Sequence, residues 1–113
     1  MPTYTTETNV RARLVKNSTQ VSSSAVEEMI NQAEFMIKAL MRGKFTATYD
    51  STKHGLLTKA TTELAAFSLL TADPSTFTSI TEASIIADLL WNSIEQNEKL
   101  LSDERIVTYL NGL

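Results

Sequence analysis

Residues 21–45 read VSSSAVEEMINQAEFMIKALMRGKF, and this stretch decides the fold. Val26, Ile30, Ala33, Ile37, Leu40 and Met41 recur in steps of three and four, which puts them on one face of a helix. Ser22, Ser23 and Ser24 offer three N-caps. Ser24 with Glu27 makes a capping box, in which each side chain covers an orphan backbone N–H. Gly43 suits the left-handed C′ position, and Lys38 and Arg42 put cations where the helix dipole favours them. The spacing predicts a helix over about 23–42.

The same period continues outward in both directions. Leu56, Leu57, Ala60, Leu64, Phe67 and Leu70 predict a helix over about 52–72, starting near Asp50 or Ser51, with Gly55 in its first turn. Asp73-Pro74 ends it, because a residue before proline avoids the helical region. Ser79 and Glu82 make a second capping box ahead of a helix over about 79–101, through Ile80, Ala83, Ala87, Leu90, Trp91, Ile94 and Leu101. Asp103 caps a short last helix, about 104–110, closed by Asn111-Gly112. Upstream, residues 8–15 suit a short helix capped by Thr6 or Thr8, with Val10 and Leu14 one turn apart. The fold class is therefore all-α: a small bundle of three main helices with short helices at the N- and C-terminal ends. A single domain over residues 1–113 is expected, with a flexible N-terminal tail (about 1–7) and a long polar loop (about 44–54).

Composition bounds the function. A chain of 113 residues, 42% of them hydrophobic, can hold one core and no second ordinary domain. Without cysteine there are no disulfides, thiolate metal sites or Cys nucleophiles, and one histidine makes no His-rich metal site. No cofactor is expected. No apolar run suits a signal peptide or a membrane span, so the chain is expected to act where it is made or in something assembled there.

Catalytic constellations are not apparent. His54 stands alone and reads as structural. Glu95 and Glu98 share a helix face, but such pairs do acid–base work only where a pocket moves their pKa values apart. There is no Gly-rich phosphate loop, G-x-S-x-G or H-E-x-x-H, and the chain is not expected to be an enzyme. Charge is uneven along the chain. Residues 1–20 carry Arg11, Arg13 and Lys16 against Glu7, a net +2, whereas residues 73–102 come to −4. Arg11, Arg13 and Lys16 are candidates for DNA or partner contact, although a duplex binder ordinarily shows a larger basic patch.

Two features depart from an ordinary amphipathic pattern. Phe35 sits about 180° from Val26 on the helical wheel, among Glu28, Asn31, Ala39 and Arg42. It meets a neighbouring segment or another chain, unless it is one of the single exposed apolar residues that are normal on surfaces. The fourth helix has Ile85, Leu89 and Leu100 opposite its main face. A helix apolar on two faces is central or shared with a partner, and a domain this small favours the partner. Two different patches per subunit would suit head-to-tail, heterologous contacts.

The stretches 21–45, LLTKATTELAAFSLL (56–70) and ITEASIIADLLWNSIEQNEKLL (80–101), followed by SDERIVTYLNG (102–112), resemble the head–tail connector (adaptor, or head-completion) proteins of tailed double-stranded DNA viruses. The resemblance runs from about residue 10 to 112 and lies in lengths, caps and apolar positions. The shared pattern in the first main helix is a Ser cap, an acidic first turn at Glu27 and Glu28, and the ending Gly43, Lys44, Phe45.

The resemblance implies a virion protein of the phage neck, made in the host cytoplasm. It would form an oligomeric ring, typically a dodecamer, beneath the portal, and join capsid to tail. Its partners would be its own copies, the portal protein and a stopper or tail-completion protein, with no membrane. DNA would pass through without specific binding, which suits a small net charge. Phe35, Arg42, Phe45, Tyr49, Ile85, Leu89, Leu100 and Tyr109 are the candidate subunit or partner interface. The loop 44–54 would face the lumen or a partner, and residues 1–13 and 109–113 would be docking arms. The main alternative is a small helical DNA-binding or regulatory protein. A compact homodimeric enzyme and another tail-completion protein are further alternatives.

Overall fold

A computed structural model describes residues 4–13, 21–72 and 80–113, with side chains from 84 onward in the last stretch. Among the described residues it is all-helical: α1 (Glu7–Ala12), α2 (Ser23–Leu40), α3 (Gly55–Ala72), α4 (Ile80–Leu101) and α5 (Glu104–Asn111). The molecule measures 43 × 26 × 21 Å. α3 lies in the middle and packs broadly against α2 on one side and α4 on the other. Its buried side chains include Ala60, Thr61, Thr62, Ala65 and Ala66. These short side chains let both neighbouring helices come close.

The core has two clusters. In the first, Val10, Val26, Ile30, Ala33, Ala65, Ala66, Leu69, Leu70 and Leu90 join α1, α2, α3 and α4. In the second, Tyr4, Ile37, Met41, Leu57, Ala60, Leu101, Val107 and Leu110 join the other end of the bundle to α5. Ile30, Leu57, Leu69 and Leu101 are fully buried. Removal of their apolar surface from water is the main force holding the helices together, at about 1.5–3 kcal/mol per side chain.

Helix ends show where local chemistry decides. α2 begins where expected, but Ser22 is its cap, its side chain accepting from the Ala25 N–H. The Ser24–Glu27 capping box is therefore corrected, because the helix has already started at Ser24. At the other end α2 stops at Leu40, and Arg42 takes φ 55° just before Gly43 at 71°. The left-handed turn thus begins one residue ahead of glycine, at a cost of about 1 kcal/mol for a side chain with a Cβ.

α3 begins at Gly55, later than about 52, because Asp50 holds residues 50–54 in a turn. Its carboxylate accepts from the Thr52 N–H at 2.8 Å and the Thr52 hydroxyl at 2.7 Å, and its carbonyl accepts from the His54 N–H. α5 is capped by Asp103, as read, which accepts from the Arg105 N–H. α1 is capped by Thr6 and stops at Ala12. Leu14, the Asp73-Pro74 stop and the Ser79 half of the second capping box lie outside the described residues.

The flexible tail needs correction within residues 4–7. Tyr4 and Thr5 are each 5% exposed. The Tyr4 N–H donates to Glu34 Oε1 at 2.7 Å, and Thr5 Oγ1 donates to Thr62 Oγ1, whose own proton goes to the Thr58 carbonyl. Burial, then the Glu34 charge and then Tyr49, raise the Tyr4 phenol above its ordinary value. A buried aromatic and satisfied backbone groups make this segment a strap across α2 and α3.

Candidate functional site

The loop joining α2 to α3 turns inward. His54 is 1% exposed. Its Nδ1 accepts from the Asp50 N–H at 2.9 Å, so Nε2 carries the proton and donates to the Leu110 carbonyl at 2.9 Å. This ties the loop to α5. Phe45 meets the His54 ring edge-on at 5.0 Å between centroids, and Tyr49 packs on Tyr4 at 4.8 Å. The Tyr49 hydroxyl donates to the Tyr4 carbonyl at 3.1 Å and accepts from Thr58 Oγ1. Asn111 completes the fastening: its Oδ1 accepts from the Thr46 and Ala47 N–H groups, and its Nδ2 donates to the Lys44 carbonyl. Phe45 and Tyr49, expected to face a partner, therefore spend their rings on this chain's own second cluster. Aromatic area gains more there than in water, and the tyrosine hydroxyl finds partners inside.

Of the N-terminal cations, Arg11 is engaged. It reaches Glu7 Oε2 at 2.8 Å and the Val21 carbonyl at 2.8 Å. The Arg11 and Ser23 hydrogen bonds hold the Glu7 carboxyl below its usual value. Arg13 lies 4.0 Å from Glu63 Oε2, and Lys16 is outside the described residues.

Glu63 is the centre of a polar cluster between α3 and α4 that the sequence reading missed. Its Oε1 accepts from Lys59 Nζ at 2.8 Å, Ser93 Oγ at 2.8 Å and Asn97 Nδ2 at 2.9 Å. Burial opposes its ionisation, but the hydrogen bonds from Lys59, Asn97 and Ser93 outweigh that and hold its carboxyl below the ordinary value. Asn97 occupies a core position on α4, whereas Trp91, expected on that face, lies at its edge with its ring 5.4 Å from Phe67. Asn97 is buried because it has a carboxylate to donate to. No group of three His, Asp or Glu among the described residues could hold a metal ion.

The remaining sequence candidates are outside. Phe35 is 74% exposed, and its neighbour Met36, which the sequence reading passed over, is 51% exposed. Arg42 is exposed at the end of α2. On the far side of α3, Ile85, Leu89 and Leu100 are exposed along one stripe of α4, since steps of 4 and 11 residues return to nearly the same angle. Leu100 and Tyr109 come together. With Thr52, Lys53, Leu56, Ile106, Leu110 and Leu113 they line a mostly apolar groove of about 600 Å³. This groove was not visible in sequence, because its walls come from three helices. Periodicity identified the outward faces and could have flagged Met36, but not the groove.

No family model matches the chain, and neither a curated protein nor a solved structure matches it.

Proposed function

We propose that this chain is a structural virion protein, a subunit of an oligomeric ring beneath the portal that joins capsid to tail and extends the DNA channel. One observation carries the reading. The two helices flanking α3 both display large apolar side chains outward, Phe35 and Met36 from α2 and Ile85, Leu89 and Leu100 from α4. A small domain with different apolar patches on opposite sides is suited to head-to-tail contact with its own copies. The resemblance in helix lengths and caps supplies the rest: the portal on one side, a stopper or tail-completion protein on the other, a place in the neck, and assembly in the host cytoplasm. The role needs no cofactor and no catalysis. DNA passes by a wall of small net charge, −3 over the chain, which limits phosphate contacts and their salt-dependent grip.

The competing reading, DNA binding through the N-terminal cations, has less support. Arg11 is already bound to Glu7 and a carbonyl, and Arg13 faces a carboxylate.

The test is assembly onto the portal protein encoded in the same genome, followed by electron microscopy of the complexes. Phe35→Asp and Leu89→Asp should leave helix content unchanged, because both positions are exposed, and should prevent ring formation on the portal. Full rings from both variants would contradict the reading.

A further inference from the structure

We propose that Asn111-Gly112 is a self-modification site held shut by the clamp it belongs to. When the α5 end opens, the Gly112 nitrogen attacks the Asn111 side chain, and the acid that results keeps that end from closing as before.

The chemistry is that of an asparagine followed by glycine. The Gly112 nitrogen gives its proton to solvent and forms a bond to Asn111 Cγ. The Cγ–Nδ2 bond breaks, and Nδ2 takes up a proton and leaves as ammonia. Water then opens the cyclic imide at either carbonyl, giving aspartate or isoaspartate. Water is consumed, ammonia is released, and nothing is oxidised or reduced. Asn111 is the one asparagine in the sequence that precedes glycine. Glycine has no Cβ to shield the attacking nitrogen. The backbone does not call for glycine here: Gly112 has φ −87°, unlike Gly43 at 71°, and a Cβ would meet the Tyr109 carbonyl oxygen at an ordinary 3.5 Å.

The closed clamp holds the two reacting groups apart. The Asn111 amide is turned toward the loop: Oδ1 accepts from the Thr46 N–H at 2.9 Å and the Ala47 N–H at 3.1 Å, and Nδ2 donates to the Lys44 carbonyl at 2.7 Å. The Gly112 N–H is turned back into α5, donating to the Thr108 and Tyr109 carbonyls at 3.2 and 3.1 Å. Attack needs the nitrogen aligned on Cγ, and each group is fastened to a different partner. His54 ties the adjoining Leu110 carbonyl to the same loop, so the last turn of α5 and residues 44–47 part together. The reaction therefore follows the fraction of time that this end is open.

The product does not refit. The Lys44 carbonyl needs the donor at Nδ2, and aspartate offers it an oxygen instead. The new negative charge also stands at the C-terminal end of α5, where the helix dipole disfavours it. Isoaspartate carries its carboxylate directly on Cα and loses the reach to the loop. Each molecule that reacts keeps a loosened end, so the clamp releases in one direction.

The test follows residue 111 of the full-length protein in neutral buffer, folded and in urea, by peptide mass spectrometry with the isoaspartate form separated. Reaction should be at least about tenfold slower in the folded protein, and should rise in step with α5 amide exchange as sub-denaturing urea is added. His54→Ala should speed it several-fold without changing Asn92, which is exposed on α4. Gly112→Ala should slow it in the unfolded chain. Asn111→Asp, the direct product, should exchange its 44–49 and α5 amides faster than the parent protein. Equal rates in folded and unfolded protein, or a rate that ignores urea while α5 exchange climbs, would overturn the gating. Parental exchange in Asn111→Asp would overturn the release, whatever His54→Ala does.

Discussion

The two core clusters are built differently, and the difference separates what holds the chain together from what it offers outside. The first is aliphatic and small, made of valine, leucine, isoleucine and alanine between helices lying side by side. The second contains Tyr4, with Phe45 and Tyr49 packed against it, and it is fastened by hydrogen bonds spanning long sequence separations through His54 and Asn111. The first depends on packing volume. The second depends on polar fasteners, and its outer wall continues into the groove. Removing a side chain from the first should therefore weaken the whole molecule, whereas cutting a fastener in the second should loosen one end of it.

The largest effect should come from Ile30→Ala. It opens a cavity in a fully buried site and should cost about 2–5 kcal/mol, read as a drop in the urea midpoint without a change in slope. A loss confined to one end by hydrogen exchange would show that the first cluster is not global.

Next comes Glu63→Gln. It leaves Lys59 without its carboxylate and should cost about 2 kcal/mol near neutral pH, allowing for the half-exposed lysine. The pH dependence has a definite sign. The folded Glu63 carboxyl lies below its ordinary value of 4.5, so on acidification the unfolded chain takes the proton first. The stability is present above 4.5 and drains away as pH falls through the lower folded value. Acid titration of the variant should show a shallower loss there. Glu7, Asp50, Asp103 and Glu104 are also lowered and should keep the remaining slope.

Asn111→Ala removes three bonds at the surface and should cost about 1–2 kcal/mol. The signature should be faster amide exchange in residues 44–49 and α5, with α2 and α3 protected as before. Uniform acceleration everywhere would erase the distinction between the clusters.

The smallest effect should have the opposite sign. Thr61 is fully buried, and its hydroxyl is the buried side-chain oxygen without a hydrogen-bond partner among the described residues. Thr61→Val keeps the shape and removes that cost, and should stabilise by about 1 kcal/mol in a thermal melt.

Much of the fold was legible because apolar spacing and caps are local. The α2 stripe from Val26 to Met41 and the Asp103 cap could be read directly. The central place of α3 was less legible, since its buried faces hold alanines, threonines and Glu63 rather than a clean stripe. The inward packing of Tyr4, Phe45 and Tyr49 was not legible, because polar neighbours made their segments look free and Tyr4 meets Glu34 and Tyr49 across 30 and 45 residues of sequence. The outward positions of Phe35, Ile85, Leu89 and Leu100 followed from the wheel. The groove depends on tertiary placement, which no local pattern encodes.

The central claim is that this compact domain assembles through its outer faces under the direction of a portal. Light scattering after size exclusion, on the protein alone and mixed with portal from the same genome, tests it most directly. A ring-sized mass joined to the portal is expected, whether or not the free protein already forms one. A mass that stays at one or two chains beside the portal, with DNA bound instead, would contradict it.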